Sequence, residues 1–252
     1  RACQQRYHAA HYVFCAAWLV DGFRERYPQI PPGQVHVVLN GVDHNAFRPG
    51  PLPSVNRIPR IIFYAGWLPS KGIYELLSAI ELLEQERRDF EVHFGGSAFS
   101  HYKRAESPEI DRRVRELAAK LKTVKLIGHV DHDALPELLR EMDIGCVPSV
   151  YEDPFPLVPL EMMAAGLPVV AFAVGGLKES VVHGETGFLV ENKNVRALAR
   201  ALETLIDNEQ LRLEMGAKAR KRVVQYFTWD RHVDQLLEIY EQIIKRNRDR
   251  KQ

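Results

Sequence analysis

The amino-acid pattern predicts an α/β protein built on a doubly wound parallel sheet. Three observations carry that prediction. Short apolar runs alternate with segments of helical spacing along most of the chain. The stretch from Asp143 to Val190 reads as one strand-loop-helix-strand-loop-helix-strand unit, which parallel strands joined by a crossover helix require. No internal repeat of solenoid period exists to suggest another architecture.

Taken in order, Tyr12 to Cys15 is a strand candidate, and Ala17 to Tyr27 sets Leu19, Val20, Phe23 and Tyr27 at helical spacing before Pro28 ends it. Pro28 to Gln34 reads as a connection between domains. Val35 to Leu39 is expected as the first strand of the main domain, with Asn40-Gly41 as the tight turn after it. Arg60 to Tyr64 is the next strand, and Lys71 to Glu86 a helix with the apolar stripe Leu76, Leu77, Ile80 and Leu83. Phe90 to Phe94 is a strand running into Gly95-Gly96. Ala98 to Glu109 is polar and aperiodic, hence a loop expected to move. Ile110 to Leu121 is a helix, Val124 to Ile127 a strand, and Asp131 or Asp133 the expected cap of a helix ending near Met142. Ile144 to Val147, Leu167 to Phe172 and Phe188 to Val190 supply further strands, for about six in the sheet. Three helices close the chain over Val195 to Ile206, Gln210 to Val224 and Trp229 to Arg246, the last capped by Thr228.

Composition bounds the function. The 252 residues are 46% hydrophobic and 27% charged, as in a globular chain of one large or two small domains. With 34 basic and 33 acidic residues the formal net charge is +1, so no field selects nucleic acid. Lys245, Arg246, Arg248, Arg250 and Lys251 crowd the final helix and tail, where a solvated helix end is the main reading and weak contact with anionic lipid the minor one. Cys3, Cys15 and Cys146 show neither disulfide nor zinc spacing, which suits a cytoplasmic location, with the inner-membrane periphery as the minor alternative. No apolar run approaches the length of a membrane span. The chain opens on Arg1 and carries no signal peptide, so a start inside a longer protein is expected.

The loop after Val147 holds the chemistry. Pro154, Pro156 and Pro159 stiffen it, and proline is tolerated at a helix start. The N–H groups of Leu157 and Val158 would then point out of the helix start at the carboxyl end of a strand, a place suited to an anion. Asp153 and Glu161 stand eight positions apart around this start. Carboxylates repel phosphate and accept hydrogen bonds from hydroxyls, so the pattern suggests a ligand with a diphosphate in its middle and polyols on either side.

With those residues in view, DPFPLVPLE resembles the Glu-x7-Glu signature of retaining glycosyltransferases of family 4 (group 1). The resemblance continues through AAGLPVVAFAVGGLKESVVHGETGFLV, VVLNGVDHNAF, AGWLPSKG and KLIGHVDHDALPELL, nearly the whole chain. It implies the C-terminal, donor-binding half of a two-domain GT-B fold, with a Rossmann-like sheet. Residues 1–34 would be a remnant of the N-terminal acceptor domain and its linker, 35–228 the nucleotide-sugar-binding domain, and 229–252 the final helix and basic tail.

The same resemblance assigns residues. Lys71 is the diphosphate cation, Glu161 the ribose ligand and Asp153 the donor-sugar ligand; these three are the candidate catalytic group. Gly66, Trp67, Gly128, His129, Val130, Phe155, Pro156, Leu157 and Val158 are the donor-binding candidates. The family pattern G-R-L-x-x-x-K-G has an arginine where Trp67 stands, and the loop here is one residue shorter. Trp67 either packs against the sheet edge or covers the ligand. Asp153 is one methylene shorter than the family glutamate, and Glu152 would take its place if the loop shifted by one residue. Pro156 stands for a glycine and lacks its N–H. His129 is a loop residue beside the base before it is an acid or base.

Neither G-x-G-x-x-G nor a P-loop occurs, which removes a dinucleotide oxidoreductase and a P-loop nucleotidase. The implied activity is metal-independent, retaining hexosyl transfer from a nucleotide-diphospho-sugar, with a UDP-sugar favoured over GDP- or ADP-sugars, no cofactor, no metal site and an unidentified acceptor. The alternative is a non-catalytic nucleotide-sugar-binding module that needs a partner domain. A missing N-terminal domain or a homodimer would cover the apolar stripe of the last helix.

Overall fold

A computed structural model describes residues 11–51, 57–97 and 107–249. Its centre is a six-stranded, all-parallel sheet of order β5-β4-β3-β6-β7-β8, formed by β3 (Arg60–Tyr64), β4 (Glu91–Gly95), β5 (Val124–Gly128), β6 (Ile144–Val147), β7 (Val169–Phe172) and β8 (Gly187–Val190). The expected doubly wound sheet is therefore present. Every residue of β6 and β7 is buried, as for strands covered on both faces. The outer strands β5 and β8 are mostly half-buried.

Helices cover both faces. On one, α2 (Ile73–Glu86) packs between α3 (Ser107–Ala118) and α7 (Val195–Asp207); on the other, α5 (Val158–Ala164) packs against α8 (Glu209–Tyr226). The expected stripe of α2 is buried at Leu76, Leu77, Ile80 and Leu83. Two short helices, α4 (Leu135–Arg140) and α6 (Leu177–Ser180), complete the crossovers. Asparagine side chains cap the long closing helices, Asn194 for α7 and Asn208 for α8.

A smaller unit precedes the sheet. β1 (Tyr12–Phe14) and β2 (Val35–Val37), joined through α1 (Trp18–Arg26), form a separate two-stranded parallel sheet. Val35–Val37 is thus not a strand of the main sheet as the sequence suggested; its backbone groups are taken by β1. The last helix, α9 (Trp229–Asp249), crosses to this unit: its His232 Nδ1 donates to the Leu39 carbonyl at 2.8 Å, and Arg246 lies beside Gly33. Thr228 caps it as expected, accepting from Arg231 N at 3.2 Å.

Other local expectations give way. Asn40-Gly41 makes no hydrogen-bonded turn; Asn40 instead donates through Nδ2 to the Phe155 carbonyl at 3.2 Å. Asp131 stands at the start of a 3-10 turn over His132–Ala134 that leads straight into α4, but no aspartate side chain makes a capping hydrogen bond at either start. Helix α3 begins at Ser107, inside the stretch read as loop; residues 98–106 of that stretch lie outside the described residues.

Candidate functional site

The strand order reverses between β3 and β6, and in open parallel sheets ligands lie outside the carboxyl ends of the strands at such a point. The loops leaving these two strands touch there. Gly72 has φ +73°, and a Cβ on it would sit 1.6 Å from the Pro148 carbonyl oxygen, so only glycine allows the crossing. Val150 N donates to the Ser70 carbonyl at 3.0 Å in the same contact. Lys71, expected to open a helix, instead ends a 3-10 turn over Pro69–Lys71, and Gly72 separates it from α2. That turn carries the lysine to residues 151–153.

Lys71 Nζ donates to Asp153 Oδ2 at 3.0 Å and to the Tyr151 phenol oxygen at 2.9 Å, and the Tyr151 O–H donates to the same Asp153 oxygen. Burial opposes the lysine's charge, but the bonds to Tyr151 and Asp153 outweigh it and hold the ammonium above the usual lysine value. Burial first, and then the bond to Asp153, raise the Tyr151 phenol. A third loop fixes the aspartate from behind. Gly176 N donates to the Asp153 carbonyl at 2.9 Å, and a Cβ on Gly175 (φ +45°) would lie 2.4 Å from that oxygen. Glu152 is exposed, so Asp153 is the carboxylate that faces Lys71.

Glu161 forms a second corner. It lies in the first turn of α5 with 6% of its surface exposed, and its Oε1 faces His132 Nε2 at 3.2 Å. Burial raises its carboxyl above the ordinary glutamate range, and His132 offsets only part of that. The Phe47 ring stands edge-on to His132, centroids 5.6 Å apart. Tyr64, which ends β3, has its phenol raised by burial and then by the charge of Glu161.

The remaining candidates divide. Gly66 and Gly128 both have open space where a Cβ would stand, and Gly128 (φ +72°) accepts from Gly96 N at 2.7 Å. His129 is exposed, 3.4 Å from Asp131, and Val130 packs partly against the core. Leu157 is 39% exposed and stands at the helix start; neither its N–H nor that of Val158 donates a hydrogen bond among the described residues. Pro156 is half-buried beside them.

Two residues turn away from any ligand. Trp67 is 1% exposed, with the Arg115 guanidinium 5.3 Å from its ring, so it packs at the sheet edge and does not cover a ligand. Its indole N–H has no partner among the described residues. The Phe155 side chain is buried against Phe227, ring centroids 5.8 Å apart, which leaves only its backbone to the loop.

Sequence reasoning passed over Tyr151, His132 and Glu179. Tyr151 stands two positions before Asp153, across a tight turn in which Asp153 N donates to the Tyr151 carbonyl at 2.9 Å, and only its nearness in the chain could have pointed to it. His132 and Glu179 had no such signal. Glu179 accepts from Ala17 N at 3.0 Å and Trp18 N at 2.8 Å, and Trp18 Nε1 donates to the Pro154 carbonyl at 3.0 Å, so the N-terminal unit is docked on the loop that carries Asp153.

Residues 51–222 match the family model of glycosyl transferases group 1. The chain belongs to that family. Among its relatives, a D-inositol 3-phosphate glycosyltransferase of Corynebacterium efficiens is 34% identical over 83% of this chain and 51% of its own length. A glycogen synthase of Mycobacterium tuberculosis is 28% identical over 90% of this chain and 53% of its own. A glycosyltransferase of Rickettsia africae superposes with a TM-score of 0.81 at 25% identity, covering 93% of this chain and 64% of the solved one. The chain thus spans about half the length of the curated relatives it matches. The sheet and its flanking helices are those of GT-B glycosyltransferase structures. No described helix of this group 1 chain is long and apolar enough to cross a membrane, and no three described His, Cys, Asp or Glu side chains are grouped to hold a metal ion.

Proposed function

We propose that the chain binds a nucleotide-diphospho-sugar at the β3/β6 reversal and serves as the donor-binding part of a retaining, metal-independent hexosyltransferase. The observation that carries this reading is the pairing, at one sheet edge, of a cation held charged with a buried carboxylate that retains a free oxygen: Lys71 for the diphosphate and Glu161 Oε2 for ribose hydroxyls. The unbonded N–H groups of Leu157 and Val158 add donors for phosphate oxygens. Asp153 accepts hydroxyls of the transferred sugar, and the open edge at Gly66 and Gly128 to Val130 admits the base.

In transfer, charge develops on the leaving diphosphate, and a preorganised ammonium beside it lowers that barrier. The acceptor hydroxyl must also be held at near-attack distance from the anomeric carbon. Apolar side chains stand exposed along α9 (Trp229, Val233, Leu237, Tyr240, Ile244) and on the small sheet (Val13, Val37). Surface of that kind fits a covering body, so we read these 252 residues as binding donor well and transferring slowly by themselves. Calorimetric titration with UDP-, GDP- and ADP-sugars tests the reading. Saturable binding of one of them, with a UDP-sugar tightest, is the expected result; no binding of any would overturn it.

A further inference from the structure

Lys71 is engaged before any ligand arrives. Its ammonium holds Asp153 Oδ2 at 3.0 Å and the Tyr151 oxygen at 2.9 Å, while the Tyr151 O–H bonds the same carboxylate. A diphosphate and a carboxylate are both acceptor-only anions, and two of them on one ammonium repel each other. The backbone of Asp153 is held from behind, because Gly176 N bonds its carbonyl at 2.9 Å and Gly175 approaches it so closely that no side chain would fit there. Any yielding therefore belongs to the short aspartate side chain.

Resting on the reading of Lys71 as the diphosphate cation, we propose that Asp153, positioned by Tyr151, is an internal counter-ion that the donor's diphosphate displaces from Lys71. Displacement frees the carboxylate to accept hydroxyls of the donor sugar. Entry of the diphosphate and recognition of the sugar are then one coupled exchange. A bare nucleoside diphosphate breaks the internal pair and gains nothing from the freed carboxylate; a nucleotide-sugar recovers the loss through its hydroxyls. Trp67 sharpens the effect, since the arginine that would have offered the diphosphate a second cation is absent and the tryptophan is buried.

The test uses the 252-residue chain and titration calorimetry with UDP, GDP and ADP, carrying forward whichever binds tightest together with its nucleoside. Asp153→Asn is expected to bind the nucleoside diphosphate about three- to fivefold tighter, the scale of one partly exposed ion pair. Tyr151→Phe should move the same way by less. Lys71→Ala should bind it more weakly, and Asp153→Asn added to Lys71→Ala should give no further gain. Affinity for the nucleoside should be the same in all variants. No tightening in Asp153→Asn overturns the proposal. So does equal tightening in the Lys71→Ala background, which would mean general repulsion between Asp153 and phosphate and not competition for one ammonium. Diphosphate binding that Lys71→Ala leaves unchanged, or that no variant shows, overturns instead the reading of Lys71 on which the proposal stands.

Discussion

Asp153 and Glu161 look alike in the sequence, two carboxylates around one helix start, yet the fold gives them opposite surroundings. Asp153 sits in a stiff loop, partly open to water, paired with a lysine and a tyrosine. Glu161 sits in the first turn of α5 among Pro159, Leu160, Met162 and Met163, all buried, with one exposed histidine as partner. The first can trade its partner for a ligand at small cost. The second keeps its place by packing, and its charge is held against burial. One site thus combines an exchangeable corner, which hangs on the crossing of the β3 and β6 loops, and a rigid one, which hangs on the packing of α5.

The largest expected effect breaks the loop crossing that holds the exchangeable corner. Gly72→Ala places a Cβ against the Pro148 carbonyl at a positive φ, so the loops must part. A loss of about 3 kcal/mol or more in urea unfolding is expected, with nucleotide binding lost alongside. Unchanged stability would show that the loops do not depend on this contact.

Next, Lys71→Ala should weaken nucleoside diphosphate binding by about 1.5–3 kcal/mol, the range for a hydrogen bond to a charged group, and leave nucleoside binding alone. Titration with the two ligands separates these outcomes.

Glu161→Gln sharpens the other side of the comparison. It should weaken UDP by about 1–2 kcal/mol but leave the already weaker 2′,3′-dideoxy analogue nearly unaffected, since only the former offers ribose hydroxyls to the carboxylate. His132→Ala should weaken UDP in the same ligand-selective way by less. Equal losses for both ligands would mean that Glu161 does not read the ribose.

The smallest effect concerns pH. Burial raises the Glu161 carboxyl in the folded state, so the folded chain binds its proton more readily than the unfolded one. Stability from this group is therefore fullest below the ordinary glutamate value and declines as pH rises through the raised one. Glu161→Gln should accordingly raise the thermal midpoint at pH 7, and the gain should shrink as pH falls through the glutamate range. Lys71 also has its folded value raised, so its pairing contributes at neutral pH and is lost only as pH climbs past the usual lysine value. Thermal scans of both variants across pH check the two signs.

Much of the fold was legible because its cause is local. Ile61 to Phe63, Ile144 to Val147 and Val169 to Phe172 are short apolar runs between helix-spaced segments, and such an alternation has few solutions besides a parallel sheet. The place of the candidate site was read from the same pattern, since proline-rich loops at strand ends advertise themselves. Pairings between distant segments were not legible. That Val35–Val37 belongs with Tyr12–Phe14, that Trp67 is buried, and that His132 meets Glu161 across 29 positions depend on which surfaces meet, and no periodicity encodes that.

By itself, then, the chain's sequence determined the parallel sheet, the strand ends where a ligand would lie, and the residue types Lys71, Asp153 and Glu161 at that edge. Only the tertiary structure decided which carboxylate is paired with Lys71 and which is buried. The physical reason is that desolvation and pairing act over a few ångströms in space: Asp153 meets Lys71 because Gly72 lets one loop cross another, and Glu161 is raised because α5 is packed on the sheet.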